Sequence, residues 1–201
     1  MKKIDLYDHP LSGNCYKVRL LLNQLNIKFN SIIIDVFKGQ NREKFFKEIN
    51  PAMKIPVLDD EGFVINESNA ILIYLAEKYP SNFIPKALKE RAELFSWLLY
   101  NKTSVDPFLA KARAIKKFFP SDKQNLSELA LLQKEGHKAL ELIDKHLVNK
   151  NFFLTNYSIA DISMYPYIKL SYEGEIELKN YKNILKWIEN IEKTSDFVTI
   201  Y

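Results

Sequence analysis

Few side chains in this sequence can carry out chemistry, and three short stretches hold most of them. Pro10-Leu11-Ser12-Gly13-Asn14-Cys15 brings a hydroxyl, an amide and the chain's single cysteine within four residues. Two cysteines at the spacing of Ser12 and Cys15 would do dithiol chemistry, the first as the attacking thiolate. With serine in the first place no internal disulfide can cycle, and Cys15 reads more simply as a small buried residue of a helix. The second stretch is Asn50-Pro51-Ala52-Met53-Lys54-Ile55-Pro56-Val57-Leu58, and the third is Asn66-Glu67-Ser68-Asn69-Ala70-Ile71. Glu67 interrupts an apolar segment, which a purely structural residue has no reason to do. His9, His137 and His146 show no ligand spacing, so no metal is expected. Five glycines without phosphate-loop spacing argue against a nucleotide site.

The elements around these stretches alternate at first. Ile4 to Tyr7 reads as a short strand closed by Asp8-His9-Pro10, and Val18, Leu21, Leu22 and Leu25 then mark one face of a helix. Ile32-Ile33-Ile34 with Val36 reads as a buried, parallel-type strand, and Arg42 to Ile49 as a helix. Val57-Leu58 and Phe63-Val64-Ile65 flank an acidic turn as a hairpin, and Ser68 is expected to cap a helix running to about Lys78. After Pro80 the patterns are helical. Ala92, Phe95, Leu98 and Leu99 make one stripe, Leu129 to Leu147 a second, and Tyr181, Ile184, Leu185, Ile188 and Ile191 a third. Ser158-Ile159-Ala160-Asp161 has the form of a capping box with aspartate in the acidic place. The division expected is an α/β domain over 1–78, a linker over 79–88 and an all-helical domain over 89–201.

Composition narrows the partners. The chain has 201 residues, 47% hydrophobic and 27% charged, and a net charge of +4. That surplus is too small for the concentrated basic face that nucleic acid needs. Lys2 and Lys3 are followed by a stretch broken by charges and a proline, unlike a secretory signal, and no run approaches the about 20 apolar residues of a membrane span. A cytoplasmic protein is expected, consistent with a lone thiol.

In order along the chain, the Pro10–Cys15, Asn50–Leu58, Asn66–Ile71 and Ser158–Asp161 segments resemble the cytosolic glutathione transferases, of serine type or a related bacterial class. The Trp187 to Val198 region resembles that family's last helix and tail, so the likeness spans nearly the whole length. It implies a thioredoxin-like α/β N-terminal domain, an all-α C-terminal domain, a homodimer, glutathione as co-substrate and a role in detoxification.

The chemistry so implied suits these residue types. Glutathione's thiol resembles cysteine, with a pKa of about 8.5, so only ~3% is thiolate at pH 7. Lowering it by about two units raises that share to roughly three-quarters and takes about 2.7 kcal/mol of selective stabilisation. A hydroxyl aimed at sulfur from a helix N-terminus can supply this, and by the resemblance Ser12 is that donor. Asn14 is the competitor, its amide able to donate to the same thiolate, or else to cap the helix beginning near Cys15. Ile55-Pro56 would be cis, turning the Ile55 backbone toward the cysteinyl unit of glutathione as an added strand. Lys54 would meet the glycine carboxylate, while Glu67 and Ser68 would meet the γ-glutamyl ammonium and carboxylate. Gln40 is a weaker contact. An electrophile pocket is expected near Leu11, Tyr100, Phe108 and Tyr165. The leading expectation is conjugation of glutathione to small hydrophobic electrophiles. The alternatives are a glutathione-dependent disulfide or peroxide reductase on the same site, and a non-catalytic binding module.

Overall fold

The computed structural model describes residues 4–200; Lys2 and Lys3, read above for a targeting signal, lie outside the described residues. The chain forms two compact units, one reaching to Asn82 and regaining the tail from Ser195, the other running from Phe83 to Thr194.

The first unit is built on a four-stranded sheet of order β2-β1-β3-β4. Strand β1 (Ile4–Asp8) lies in its middle, parallel to β2 (Asn30–Ile33) and antiparallel to β3 (Val57–Asp60). Helix α1 (Gly13–Gln24) makes the crossover that two parallel strands require, and it buries Val18, Leu21 and Leu22. The expected burial of β2 does not hold. It is an edge strand with Asn30, Ser31 and Ile33 exposed, and only Ile34, just past its end, reaches the core. An edge strand has a partner on one side only, so its β-branched residues need no cover on both faces. Strand β4 (Phe63–Asn66) completes the hairpin through Glu61-Gly62, both at positive φ (56° and 92°), as a tight two-residue turn demands. The helix expected over 42–49 is two pieces. A 3₁₀ turn at Gln40–Arg42 and α2 (Lys44–Ile49) are separated by the extended Glu43 (φ −70°, ψ 155°). Helix α3 (Ser68–Lys78) buries Ile71, Leu72, Leu75 and Ala76 and stops where Tyr79 turns extended before Pro80.

The second unit is helical: α4 (Leu88–Tyr100), α5 (Asp106–Phe118), α6 (Leu126–His146), α7 (Ile159–Lys169) and α8 (Lys182–Glu192). In α6 the expected stripe is the buried one. In α4 it is so only in part: Leu98 of the expected stripe is buried, together with Leu94, while Ala92 and Leu99 face water. Both faces are apolar enough to qualify, and packing against α7 selects between them. Leu185 of the α8 stripe is likewise exposed. A π-helical turn (Asn101–Val105) joins α4 to α5 and buries Asn101, whose Nδ2 donates to Asp106 Oδ1 (3.0 Å) and to the Ser163 carbonyl (3.2 Å). Such turns have no hydropathy signature.

The capping box at α7 is present and is the polar centre of this unit. Asp161 is buried and accepts from the Ser158 N–H (3.0 Å) and hydroxyl (3.2 Å), the Phe153 N–H (2.9 Å) and the Trp187 indole (2.8 Å). One carboxylate therefore ties the loop before α7 to α8. Burial nevertheless pushes its pKa up, to about 6, against the pull of those donors.

Candidate functional site

Ser12 sits at the junction of the β1 loop and α1. Its backbone is extended (φ −82°, ψ 118°), it is the N-cap of α1, and its Oγ accepts from the Cys15 N–H at 3.2 Å. A capping hydroxyl uses a lone pair for this and keeps its own proton to donate elsewhere. The loop behind it is tied down. The Ser12 N–H donates to the His9 carbonyl (2.9 Å), and the Leu11 N–H to His9 Nδ1 (3.2 Å). Arg19, nearly two helical turns along α1, pairs with the buried Asp8 and donates to the Pro10 carbonyl (3.0 Å).

The cap assigned above to Asn14 as an alternative role belongs to Ser12, because α1 starts two residues earlier than Cys15. Asn14 lies in the first turn, partly exposed, and its Oδ1 accepts from the Ser68 hydroxyl at 3.1 Å. The carbonyl end of the amide is thus turned to Ser68, and its NH₂ end is the other one.

Ser68 is not the N-cap of α3, contrary to expectation. Glu67 occupies that position at φ 65°, ψ 112°, without a side-chain cap bond, and Ser68 is the first helical residue. Asn66 is still paired with Val57 in the sheet, so the chain must turn from strand into helix at Glu67 alone. Positive φ costs a residue with a Cβ on the order of 1–3 kcal/mol, and such backbone persists where a site requires it. The first-turn amides of α3 have no intrahelical acceptors.

The Ile55–Pro56 bond is cis. Ile55 is half-buried against the cluster of Ile34, Phe46 and Val57. Among the described residues neither its N–H nor its C=O has a backbone hydrogen-bond partner. Lys54 is exposed, and Met53 stands at φ 55°. Two asparagines brace this loop. Asn41 Nδ2 donates to the Met53 carbonyl and Asn50 Nδ2 to the Lys54 carbonyl, each at 2.8 Å. Asn50, Asn41 and Arg19 were not singled out from the sequence. Only Asn50-Pro51 carried a usable signal, because an asparagine before proline favours a turn that closes on its own side chain.

Other candidates fall away from the site. Cys15 is fully buried, and burial, then the charge of Asp8, pushes its thiol up to about 12, which leaves it unreactive. Gln40 spends its Oε1 on the Asp35 N–H (2.7 Å). Tyr165 is a buried core residue whose hydroxyl donates to Glu192 (2.8 Å), so it does not line an open pocket. His9 holds Leu11, His137 meets the Tyr181 hydroxyl and His146 the Phe153 carbonyl, each in a structural contact. Among the described residues no three His, Cys, Asp or Glu side chains gather to hold a metal ion, and no helix is long and apolar enough to cross a membrane.

Residues 6–83 match the model of the glutathione S-transferase N-terminal domain, and residues 114–194 that of the C-terminal domain. Over 196 residues the chain is 31% identical to the disulfide-bond oxidoreductase YfcG of Escherichia coli (strain K12), covering 94% of this chain and 89% of that protein. It is 27% identical over 197 residues to glutathione S-transferase D6 of Drosophila melanogaster, covering 96% and 88%. A glutathione S-transferase crystal structure from Pseudomonas fluorescens [Pf-5] superposes with a TM-score of 0.93 at 33% identity, covering 98% of each chain. With a thioredoxin-like unit, a cis-proline loop and a strained Glu67-Ser68 turn on the same chain, these likenesses have one meaning: the protein belongs to the glutathione S-transferase family, whose co-substrate is glutathione.

Proposed function

We propose that the protein binds glutathione on its first unit, activates it as the thiolate, and conjugates it to small hydrophobic electrophiles. The observation that carries this reading is the N-cap geometry of Ser12, whose hydroxyl accepts from Cys15 and keeps its proton for the sulfur. The Asn14 amide, held by Ser68 through its carbonyl end, is the second donor. Ser12 is no covalent nucleophile. The glutathione sulfur attacks the electrophilic carbon, a C–S bond forms, and the leaving group departs with its electron pair. Ile55 pairs through its backbone with the cysteinyl unit and Lys54 meets the glycine carboxylate. Glu67 meets the γ-glutamyl ammonium, and Ser68 with the α3 amides meets its carboxylate. A reaction that consumes reduced glutathione belongs in the cytoplasm, where thiols stay reduced.

The test is conjugation of a chlorinated aromatic substrate, followed against pH. Ser12→Ala should lower kcat about tenfold to a hundredfold at pH 7 and move the apparent thiol pKa up by one to two units, with glutathione affinity little changed. Should Ser12→Ala leave conjugation intact while Asn14→Ala abolishes it, the sulfur donor is Asn14.

A second reading, glutathione-dependent disulfide reduction, is favoured by the likeness to the Escherichia coli oxidoreductase. Since the Cys15 thiol is buried and held protonated, both reducing thiols would come from glutathione. Turnover of hydroxyethyl disulfide with weak conjugation would select it. Absence of glutathione binding would remove both readings and leave a non-catalytic module.

A further inference from the structure

Asn50 stands between the two stretches assigned above to glutathione. Its side chain is 1% exposed and forms three hydrogen bonds. Nδ2 donates to the Lys54 carbonyl (2.8 Å), while Oδ1 accepts from the Ala52 N–H (3.1 Å) and from Asn66 Nδ2 (3.0 Å). The first two bonds shape the loop that carries Lys54 and Ile55. The third reaches the last residue of β4, next to Glu67. The sheet ladder starts only at Val57, so it does not hold residues 51–56.

We propose that Asn50 is a positioning residue for glutathione, clamping the 51–56 loop and the Asn66-Glu67-Ser68 turn at one separation so that a single tripeptide can bridge them. The inference rests on the reading that Lys54, Ile55, Glu67 and Ser68 hold the tripeptide. A ligand that spans two independently moving segments must order both on binding, and a tie already made in the free protein removes that cost. The amide is the group required. Lys54 presents an acceptor and needs a donor, whereas Ala52 and Asn66 present donors and need an acceptor. Aspartate would set a carboxylate oxygen against the Lys54 carbonyl.

Asn66→Ala cuts only the tie between the two stretches, on a residue exposed enough for the fold to tolerate the change. Its KM and calorimetric Kd for glutathione should rise about threefold to tenfold, with kcat at saturating glutathione and KM for the electrophile within twofold. Asn50→Ala should raise the glutathione KM further. Adding Asn66→Ala to it should cost nearly nothing more, because the two variants remove one shared bond. Cysteinylglycine lacks the γ-glutamyl end and cannot bridge the stretches, so its inhibition constant should be equal in the native protein and Asn66→Ala. Native glutathione affinity in both folded single variants would overturn the clamp and leave the binding reading standing. Equal losses for tripeptide and dipeptide would overturn it in favour of general loosening. A native protein that does not bind glutathione would overturn both.

Discussion

The Ser68 hydroxyl has one proton and gives it to Asn14 in the free protein. On the proposed reading a γ-glutamyl carboxylate would compete for the same proton, which would couple ligand docking at Ser68 to the orientation of the Asn14 amide. Ser68→Ala should therefore raise the glutathione KM roughly tenfold to a hundredfold, the worth of a hydrogen bond to a charged group, and also shift the bound thiol's titration upward. Difference absorbance of the thiolate against pH measures the second effect, and an unmoved titration would leave Ser68 a ligand contact alone. Cys15 has the opposite character. Buried and held protonated, it should be dispensable: Cys15→Ala keeps kcat for conjugation and for disulfide reduction within about twofold, at about 1–2 kcal/mol of stability in urea unfolding. Loss of either activity in that folded variant would give the thiol a chemical role.

At the level of elements, Asp161 links the α7 cap to Phe153 and to Trp187 of α8. Its carboxyl titrates at about 6 in the fold and near 3.8 in the open chain, so between those values the folded state holds more protons. Stability from this group is present in full below about pH 4 and declines as pH rises through 6, at up to about 1.4 kcal/mol per pH unit. Asp161→Asn should lose that slope in urea titrations between pH 4 and 6. An unchanged slope would place the pH dependence elsewhere. Asp161→Ala leaves the indole and two backbone amides without an acceptor and should cost about 3–5 kcal/mol. Elements with a strong period were legible in advance, the α6 stripe and the α7 capping box above all. The α4 face and the burial of β2 were not, because each depends on which neighbour covers the element.

For the molecule as a whole, each unit has its own core, and the tail from Ser195 belongs to the first. The Tyr16 hydroxyl of α1 donates to the Val198 carbonyl at 2.6 Å, which holds that return. Phe45, Phe63 and Val64 are exposed apolar side chains of the same unit, and the homodimer that the family resemblance implies is a proposal that the mass in solution tests. Sedimentation equilibrium should give twice the mass of one chain at micromolar concentration, and a monomer would refute this. By itself the sequence pointed to the two-part plan and the α7 cap, because period and turn chemistry are local properties written in neighbouring residues, and through motif order it carried the family resemblance from which the Ser12, Ile55-Pro56 and Glu67-Ser68 roles are proposed. Only the tertiary structure decided that Ser12 rather than Asn14 caps α1, that Ser68 serves Asn14 instead of its own helix, and that Asn50 braces two stretches of the site. Ser68 and Asn14 lie 54 residues apart, and Asn50 and Asn66 lie 16 apart. A hydrogen bond across such a separation exists only once the sheet and helices have brought its two ends together.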